Sequence, residues 1–487
     1  MTSPPNILLI MTDQQRGDCL GCDGNPVLET PYLDQLAAEG TLFRHAYSAV
    51  PSCIPARATL LTGMDQWHTG LLGMGAAWGP IRSDYAHTLP GELARGGYHT
   101  QGIGKMHFKP ARALNGFHHT ILDEHHMDQP GQVSDYKRWF EQHKTESYGI
   151  HDHGLDWNSW MARPSHLPEH LHPTHWTAQQ AIDFLARRDP TKPFFLKVSF
   201  VRPHSPYDPP QRYYDLYKDQ PIPAPHIGVW AAVNDDPVEA AKIDAWRGRR
   251  SAEEIRRARA CYYGNITFID HQIGRLLLEL RYHHRAAWDN TLVVFLSDHG
   301  DMLGDHHLWR KAYAYEGSAR IPMIVRPPNT WTIPRGQVLE PVVELRDVMP
   351  TLLEAAGLEV PPTCQGQSML PLVLGRPGVC WRPYLHGEHG LAYHTTGQAN
   401  HYLTDGRTKY IWFPYLGHEQ LFDLEADPGE CRDLARQASK AAKLKLWRSR
   451  LVAILTRRDC GLTRAGKLVR QPSDRVVTHP YGKGPDR

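Results

Sequence analysis

The pentapeptide Cys-Ile-Pro-Ala-Arg at residues 53–57 places a reactive thiol close to a fixed cation. Residues 58–63 are typical of a helix turn closed by glycine, and Pro55 suits a first helical position. Cys53 would then lie at a helix N-terminus, where N–H groups and the dipole favour negative charge, and Arg57 would add a positive charge. The pattern predicts an anion site beside a reactive side chain. A small loop with a buried cysteine is the alternative at this point.

Charged residues and histidines follow four apolar runs that are typical of buried strands. The runs cover residues 6–11, 98–103, 193–201 and 291–297. The residues that follow them are Asp13, Lys105, His107, His204, Asp298 and His299. Ligands of open α/β sheets bind beyond the carboxyl ends of strands. We therefore expect these side chains to converge on one sheet edge, where Cys53 could also lie.

This set of side chains has a definite chemical preference. Asp13, Asp298 and His299 offer oxygen and imidazole ligands that suit a divalent cation. Further positive charge comes from Arg57, Lys105 and Lys311. A cation together with basic side chains carries an excess of positive charge, whose natural guest is a tetrahedral oxyanion such as sulfate or phosphate.

The elements that must position these residues alternate between strand and helix over residues 1–374, which predicts an α/β fold with a large, mostly parallel sheet between helices. Beyond a Gly- and Pro-rich boundary, residues 375–487 predict a smaller antiparallel sheet. Its signals are a hairpin turn at Asp405-Gly406 and an amphipathic helix over 440–457. A polar tail over 461–487 lacks a core pattern.

One long stretch, residues 111–173, shows no periodicity and is rich in His, Trp, Asp and Pro. Long irregular stretches in compact proteins usually line or cover a site. We expect this stretch, together with residues 393–415, to face the substrate, with tryptophan stacking on a ring.

Composition excludes several classes of protein. The 487 residues carry 54 basic and 52 acidic side chains, so no nucleic-acid or membrane partner is expected. No apolar run approaches the roughly 18 residues of a membrane span, and no signal-peptide core is visible, so a cytoplasmic location is expected. Cys19 and Cys22 form a C-x-x-C pair without a second pair at zinc spacing, which favours buried free thiols over a structural zinc.

The segment Cys53-x-Pro55-x-Arg57, followed by Leu-Leu-Thr-Gly at 60–63, resembles the signature of the formylglycine-dependent (type I) sulfatases. Further motifs of that family follow in its order over residues 6–326. They are Gly104-Lys105-x-His107, Pro203-His204-x-Pro206-Tyr207, Asp298-His299-Gly300, and Lys311 ahead of Tyr315-Glu316 and Arg320-Ile321-Pro322. The resemblance implies an alkaline-phosphatase-like fold and an enzyme that hydrolyses sulfuric esters.

The resemblance also implies that Cys53 is oxidised after translation to formylglycine (3-oxoalanine), with transient contact to a formylglycine-generating enzyme. A serine that attacked sulfur would leave a stable sulfate ester on the enzyme. The hydrate of formylglycine carries a second hydroxyl, which can expel sulfate as the aldehyde re-forms.

Residue roles follow from the same resemblance. Asp13, the modified Cys53, Asp298 and His299 would bind the metal, and Ca²⁺ is the expected ion. Arg57 would orient the diol. The groups that handle protons and sulfate would be His107 as the base for sulfate expulsion, Lys105 beside it, and His204 with Lys311 at the sulfate and the leaving alcohol.

Two positions depart from the family pattern. Gln14 stands where many members have a second aspartate, and His299 stands where many have asparagine. The added imidazole makes Mn²⁺ an alternative to Ca²⁺, and whether Gln14 coordinates the metal is left open. The same two residues resemble the phosphonate monoester hydrolase branch, whose Tyr and Thr differ from Lys105 and His107 here.

Three functions therefore stand side by side. The first is a sulfuric ester hydrolase that acts on an aryl or carbohydrate sulfate, as a small molecule or an oligosaccharide. The second is a phosphonate monoester or phosphodiester hydrolase on the same scaffold, and the third is an inactive protein that binds anionic sugars. A homo-oligomer, with the polar tail reaching a neighbouring subunit, is also left open.

Overall fold

A large mixed sheet runs through the computed structural model, which describes residues 4–124, 133–391, 393, 395–473 and 475–478. Helices cover both faces of this sheet, and a separate antiparallel sheet follows near the C-terminus. His125 and His126 of the irregular stretch, and residues 479–487 of the predicted tail, lie outside the described residues.

The strands in chain order are β1 (Asn6–Asp13), β2 (Thr41–Phe43), β3 (Ala46–Tyr47), β4 (His99–Gly104), β5 (His119–Leu122), β6 (Phe194–Pro203), β7 (Thr291–Ser297), β8 (Arg320–Ile321), β9 (Met323–Arg326), β10 (Gln337–Leu339), β11 (Val343–Glu344), β12 (Leu385–His389), β13 (Asn400–Thr404), β14 (Thr408–Phe413), β15 (His418–Asp423), β16 (Thr463–Arg464) and β17 (Lys467–Leu468).

The α-helices in chain order are α1 (Pro31–Ala38), α2 (Cys53–Thr62), α3 (Gln66–Thr69), α4 (Leu89–Arg95), α5 (Asp135–His143), α6 (Pro173–Arg187), α7 (Gln211–Tyr217), α8 (Pro237–Ala240), α9 (Ala252–His283), α10 (Arg285–Asp289), α11 (Glu316–Ala319), α12 (Val348–Ala355), α13 (Leu370–Val373) and α14 (Ala441–Arg458).

The large sheet has the strand order β10-β2-β9-β7-β1-β6-β4-β5. Strands β7, β1, β6, β4 and β5 are mutually parallel, whereas β9 pairs antiparallel with both β7 and β2. The expected α/β fold with a large, mostly parallel sheet is confirmed, and the parallel centre places the ends of four strands side by side.

Burial on both faces explains the continuous apolar runs of the central strands. Along β1, Leu8 and Ile10 pack into the core on one face, while Ile7, Leu9 and Met11 pack into the core on the other. Successive side chains of a strand point to opposite faces, so a strand covered by helices on both sides must be apolar throughout.

Local signals place several helices correctly. Ser251 and Glu254 form the expected capping box at the start of α9, and Gly63 ends α2 in the left-handed conformation. The prediction of Pro55 as the first helical residue is wrong, because α2 begins two residues earlier at Cys53. Pro55 is tolerated there because the N–H groups of the first helical turn have no intrahelical acceptor.

The prediction of an irregular stretch over 111–173 is also wrong in part. The stretch contains edge strand β5 and helix α5, whose Ser134 N-cap accepts from the backbone N–H of Lys137. These elements are short and mostly polar, so their periodicity is weak in the sequence.

The C-terminal sheet has the order β12-β13-β14-β15, and α14 packs on it through Trp447, Leu451 and Leu455. This matches the predicted antiparallel sheet and helix, while the division at residue 374 stays a prediction. Among the described residues, no helix combines the length and apolarity that a membrane crossing requires.

Candidate active site

The four neighbouring strands β7, β1, β6 and β4 end at the same edge of the sheet. Asp298 and His299 follow β7, Asp13 ends β1, and His204 follows β6. Lys105 comes directly after β4, where Gly104 turns the chain with a φ of 90°. A Cβ at Gly104 would lie 2.1 Å from the carbonyl oxygen of Ser199, so only glycine permits this approach.

Helix α2 brings its N-terminus to this edge. Ser52 is the N-cap and Cys53 the first helical residue, and both are buried. Arg57 lies one turn further along the same helix face. Its Nε donates to Asp298 at 2.9 Å and its Nη2 donates to Asp13 at 3.0 Å. Arg57 therefore ties the helix to two strand ends rather than facing an external anion.

Four side chains form a candidate metal centre, with one ligand atom each and all four atoms within 4.8 Å of one another: Asp13, Cys53, Asp298 and His299. The Cys53 thiol is 3.1 Å from His299 Nε2 and 3.6 Å from Asp13 Oδ1. His299 Nδ1 lies 2.8 Å from the carbonyl oxygen of Gly300. A carbonyl only accepts, so Nδ1 donates to Gly300 and Nε2 faces the centre.

The charged side chains around the centre shift one another's pKa values. Burial and the adjacent Asp13 raise the pKa of Asp298. Burial would also raise the pKa of Asp13, but Lys105 above all, with Nζ 2.6 Å away, holds it well below its usual value. Burial and Asp13 oppose ionisation of the Cys53 thiol, yet Lys105, Lys311 and His299 lower its pKa to about 6. The centre thus stabilises negative charge at the position of Cys53.

His107 is held by its backbone. Its φ is 64°, and its N–H and that of Met106 both donate to Glu124 Oε1 at 2.5 Å. Among the described residues, His107 Nδ1 has no hydrogen-bond partner. Burial, followed by the charge of Lys105, lowers the pKa of His107 to about 3. The imidazole is therefore neutral.

Lys311 and His204 form a second proton-bearing pair. Lys311 Nζ lies 2.5 Å from His204 Nε2 and 2.8 Å from the amide oxygen of Gln14. His204 Nδ1 donates to the carbonyl oxygen of Ser205, so Nε2 accepts from the ammonium. Burial lowers the pKa of both Lys311 and His204. The pair therefore places one readily donated proton at the edge of the site.

Both polar atoms of the Gln14 side-chain amide form hydrogen bonds. Its oxygen accepts from Lys311, and its nitrogen donates to Asp301 Oδ2 at 2.6 Å. The hydroxyl of Tyr207 also donates to that carboxylate oxygen. In this structure Gln14 orients Lys311.

A cavity of about 590 Å³ opens onto Cys53, Lys105, His107, His204 and Lys311. Its remaining wall is largely apolar and aromatic. The apolar part of this wall includes Met74, Ala76, Ala77, Trp78, Trp157, Leu391 and Tyr393, and its polar part includes Ser52, Glu124, Asn158, Arg310 and His389. Trp157 comes from the stretch that was expected to face the substrate, and its ring lies 5.2 Å from that of His204.

Three residues of the site were missed by sequence reasoning. His389 ends β12 and lines the cavity with its Nε2 2.9 Å from Ser52 Oγ. Glu124 holds the backbone of His107, and Asp301 holds Gln14. His389 and Glu124 lie at or just after the end of a strand, and Asp301 follows a family motif. Position after a strand is the signal that located the predicted site residues, but no spacing or motif distinguished these three.

Comparison with known families gives two matches. The family model described as Sulfatase covers residues 5–358, and the model described as N-sulphoglucosamine sulphohydrolase, C-terminal, covers residues 304–456. Among characterised proteins, the chain is 45% identical to an arylsulfatase of Clostridium perfringens over 96% of this chain and 97% of that protein. It is 33% identical to a choline-sulfatase of Rhizobium meliloti, over 89% and 83% of the two chains.

Solved structures agree on the fold. A phosphonate monoester hydrolase of Agrobacterium radiobacter superposes with a TM-score of 0.76 at 26% identity, over 96% of this chain and all of that one. A chain solved with D-glucosamine-2-N,6-O-disulfate gives 0.72 at 22% identity, over 93% and 98% of the chains. The second likeness speaks for the fold alone.

Proposed function

The chain belongs to the sulfatase family and is a sulfuric ester hydrolase, and we propose that it cleaves aryl sulfates through a formylglycine made from Cys53. The observation that carries this proposal is the position of Cys53. It is the first residue of a helix, buried among Lys105, His299 and Asp13, in a site that lowers its pKa. The Sγ atom stands where the oxygens of the hydrated aldehyde would lie.

A divalent cation fits the donor set of Asp13, Asp298, His299 and the modified Cys53. Two buried carboxylates lie side by side, and the imidazole already presents the correct nitrogen. We propose Ca²⁺ because most of the donors are oxygens, with Mn²⁺ as the alternative that His299 favours. When bound, the ion would neutralise charge on the sulfate oxygens and lower the pKa of the diol.

The side chains around the cavity divide the remaining work. Formylglycine hydrate supplies the nucleophilic oxygen and a second hydroxyl for sulfate release. Lys105 binds sulfate oxygens, and Arg57 holds the carboxylates that face the diol. The Lys311–His204 pair delivers its shared proton to the oxygen of the leaving alcohol. His107, whose neutral imidazole lines the cavity, accepts the proton when sulfate is expelled.

The largely apolar wall supports an aromatic leaving group. Trp78 and Trp157 offer ring faces, while Met74 and Leu391 offer aliphatic surface. The similarity to the arylsulfatase of Clostridium perfringens points the same way. A planar aromatic alcohol buries apolar area against such a wall without needing the many hydrogen bonds of a sugar.

Phosphonate monoester hydrolysis is the second candidate, because Gln14 and His299 resemble that branch and its structures superpose well. Lys105 and His107 disfavour it. Both candidates are tested on one preparation, co-expressed with a formylglycine-generating enzyme and checked by the mass of the Cys53 peptide. We expect 4-nitrophenyl sulfate to be hydrolysed faster than 4-nitrophenyl phenylphosphonate. A preference for the phosphonate, or no sulfate release by the converted enzyme, would refute the proposal.

A further inference from the structure

Arg310 is a cation of the cavity that the proposed chemistry does not use. It lines the cavity next to Lys311, and its Nη1 donates to the carbonyl oxygen of Asp244 at 2.9 Å. Within the described part of the chain, its buried Nε has no hydrogen-bond partner and its guanidinium forms no ion pair. The buried Nε of Arg247 also has no partner there, so what distinguishes Arg310 is its place on the cavity wall without an acidic partner in the described structure.

The backbone fixes the place of Arg310. Its φ is 69°, a left-handed conformation that is uncommon for a residue other than glycine. The N–H of Arg310 donates to Asp301 Oδ1 at 2.9 Å, and its carbonyl accepts from Met302 at 2.7 Å. Strained backbone of this kind persists where the surroundings hold it, and it concentrates at functional sites.

An aromatic stack separates Arg310 from a second, differently placed arginine. The guanidinium of Arg310 lies 4.6 Å from the ring centre of Tyr393, which stacks on Trp246 at 5.3 Å. At the other end of the stack, the guanidinium of Arg247 lies 4.5 Å from the ring centre of Trp246. Its Nη2 forms an ion pair with Asp236 Oδ2 at 2.7 Å. Both arginines make a cation–π contact, but only Arg247 has an acidic partner in the described structure.

The other charged side chains of the cavity already have hydrogen-bond or ion-pair partners. Glu124 accepts two backbone N–H groups, Lys105 pairs with Asp13, and Lys311 contacts His204. A monoester sulfate would occupy the centre around Cys53. Arg310 is a cation of the cavity without an acidic partner in the described structure. The apolar and aromatic walls beside it suit an aromatic ring.

We propose that Arg310 binds a second anionic group of the substrate, so that the preferred substrates are aryl sulfates that carry a carboxylate on the ring. A guanidinium forms two parallel hydrogen bonds with a carboxylate, which matches its planar donors. The inference rests on the proposed function, because it places the sulfate of the same molecule at Cys53.

The test compares phenyl sulfate with its 3-carboxy and 4-carboxy derivatives on wild-type enzyme, Arg310→Gln and the matched control Arg247→Gln. We expect a carboxylated substrate to have the higher kcat/KM on wild type. Arg310→Gln should lower that preference roughly tenfold or more, mainly through KM, and Arg247→Gln should leave it unchanged. Arg310→Lys should retain part of the preference, because lysine keeps the positive charge but cannot form the two parallel hydrogen bonds of a guanidinium.

Calorimetric binding of the same compounds to the Cys53→Ala variant separates the two proposals, because it needs no turnover. Tighter binding of the carboxylated compounds, lost in Cys53→Ala/Arg310→Gln, supports the inference even if sulfate release fails. Equal effects of Arg310→Gln on all three substrates, or no wild-type preference for either carboxylated compound, would overturn it.

Discussion

His389, from the C-terminal sheet, lies with its Nε2 2.9 Å from the Oγ of Ser52, the residue that precedes Cys53. Both side chains are buried. Burial lowers the pKa of His389 to about 3, so the ring is neutral. The pair fixes the N-cap of α2 and thereby the position of Cys53, and it joins the C-terminal sheet to the candidate active site.

A double-mutant cycle measures this contact. Ser52→Ala and His389→Leu should each destabilise the protein, and their coupling energy should be about 1 kcal/mol, the usual net value of a buried hydrogen bond. Urea unfolding of the two single variants and the double variant supplies the numbers. Strict additivity would show that the hydrogen bond contributes nothing to stability.

Replacement of Cys53 separates chemistry from folding. Cys53→Ala should fold normally and lose at least about a thousandfold in kcat, because no nucleophile remains. Cys53→Ser should accumulate a stable sulfate ester on the protein, visible in its mass, because serine lacks the second hydroxyl. Cys261→Ala is the control, since that thiol is buried in α9. Full activity of Cys53→Ala would contradict the assignment.

Lys311 should matter most for poor leaving groups. Lys311→Met removes the proton of the Lys311–His204 pair, and phenyl sulfate should then lose about a hundredfold or more in kcat/KM. An acidic alcohol such as 4-nitrophenol leaves without a proton, so its sulfate should lose far less. Lys192→Met, on an exposed lysine, serves as control. A loss that is independent of the leaving group would assign Lys311 to sulfate binding alone.

A bound divalent cation should stabilise the fold. Asp13 and Asp298 lie together in the interior, and Asp298 has a raised pKa because of burial and this neighbour. Calcium at about a hundred times its Kd should add about 2.7 kcal/mol to the free energy of unfolding. Thermal unfolding with CaCl₂ against KCl of equal ionic strength measures this. Asp298→Asn should abolish the effect, and an unchanged response in that variant would place the ion elsewhere.

Stability should fall below neutral pH. Burial lowers the pKa of His172 and His306 to about 4, whereas the unfolded chain binds those protons near pH 6.5. Between these values the unfolded state holds more protons, so the free energy of unfolding rises with pH by up to about 1.4 kcal/mol per pH unit for each proton. Urea titrations between about pH 4.5 and 7 give the slope. His172→Asn should reduce this slope. An unchanged slope in that variant would show that His172 does not contribute to the pH dependence of stability.

Much of the fold and site is readable from local sequence. The apolar runs over 6–11 and 291–297 predict strands covered on both faces. The residues after them form the candidate metal centre, because parallel strands end at one edge. Ser251 with Glu254 predicts the start of α9 through contacts within one helical turn. Such signals involve residues that are close in sequence, so they can be recognised without knowledge of the fold.

The tertiary structure alone decided the contacts between distant segments. His389 reaches Ser52 across 337 residues, Glu124 holds the backbone of His107, and Gln14 bridges Lys311 and Asp301. Strand order and the docking of the second sheet determine these distances, and neither follows from periodicity. The sequence thus determined which groups could do the chemistry, while the packing decided which of them share protons, which are held, and which charge, that of Arg310, is left for the substrate.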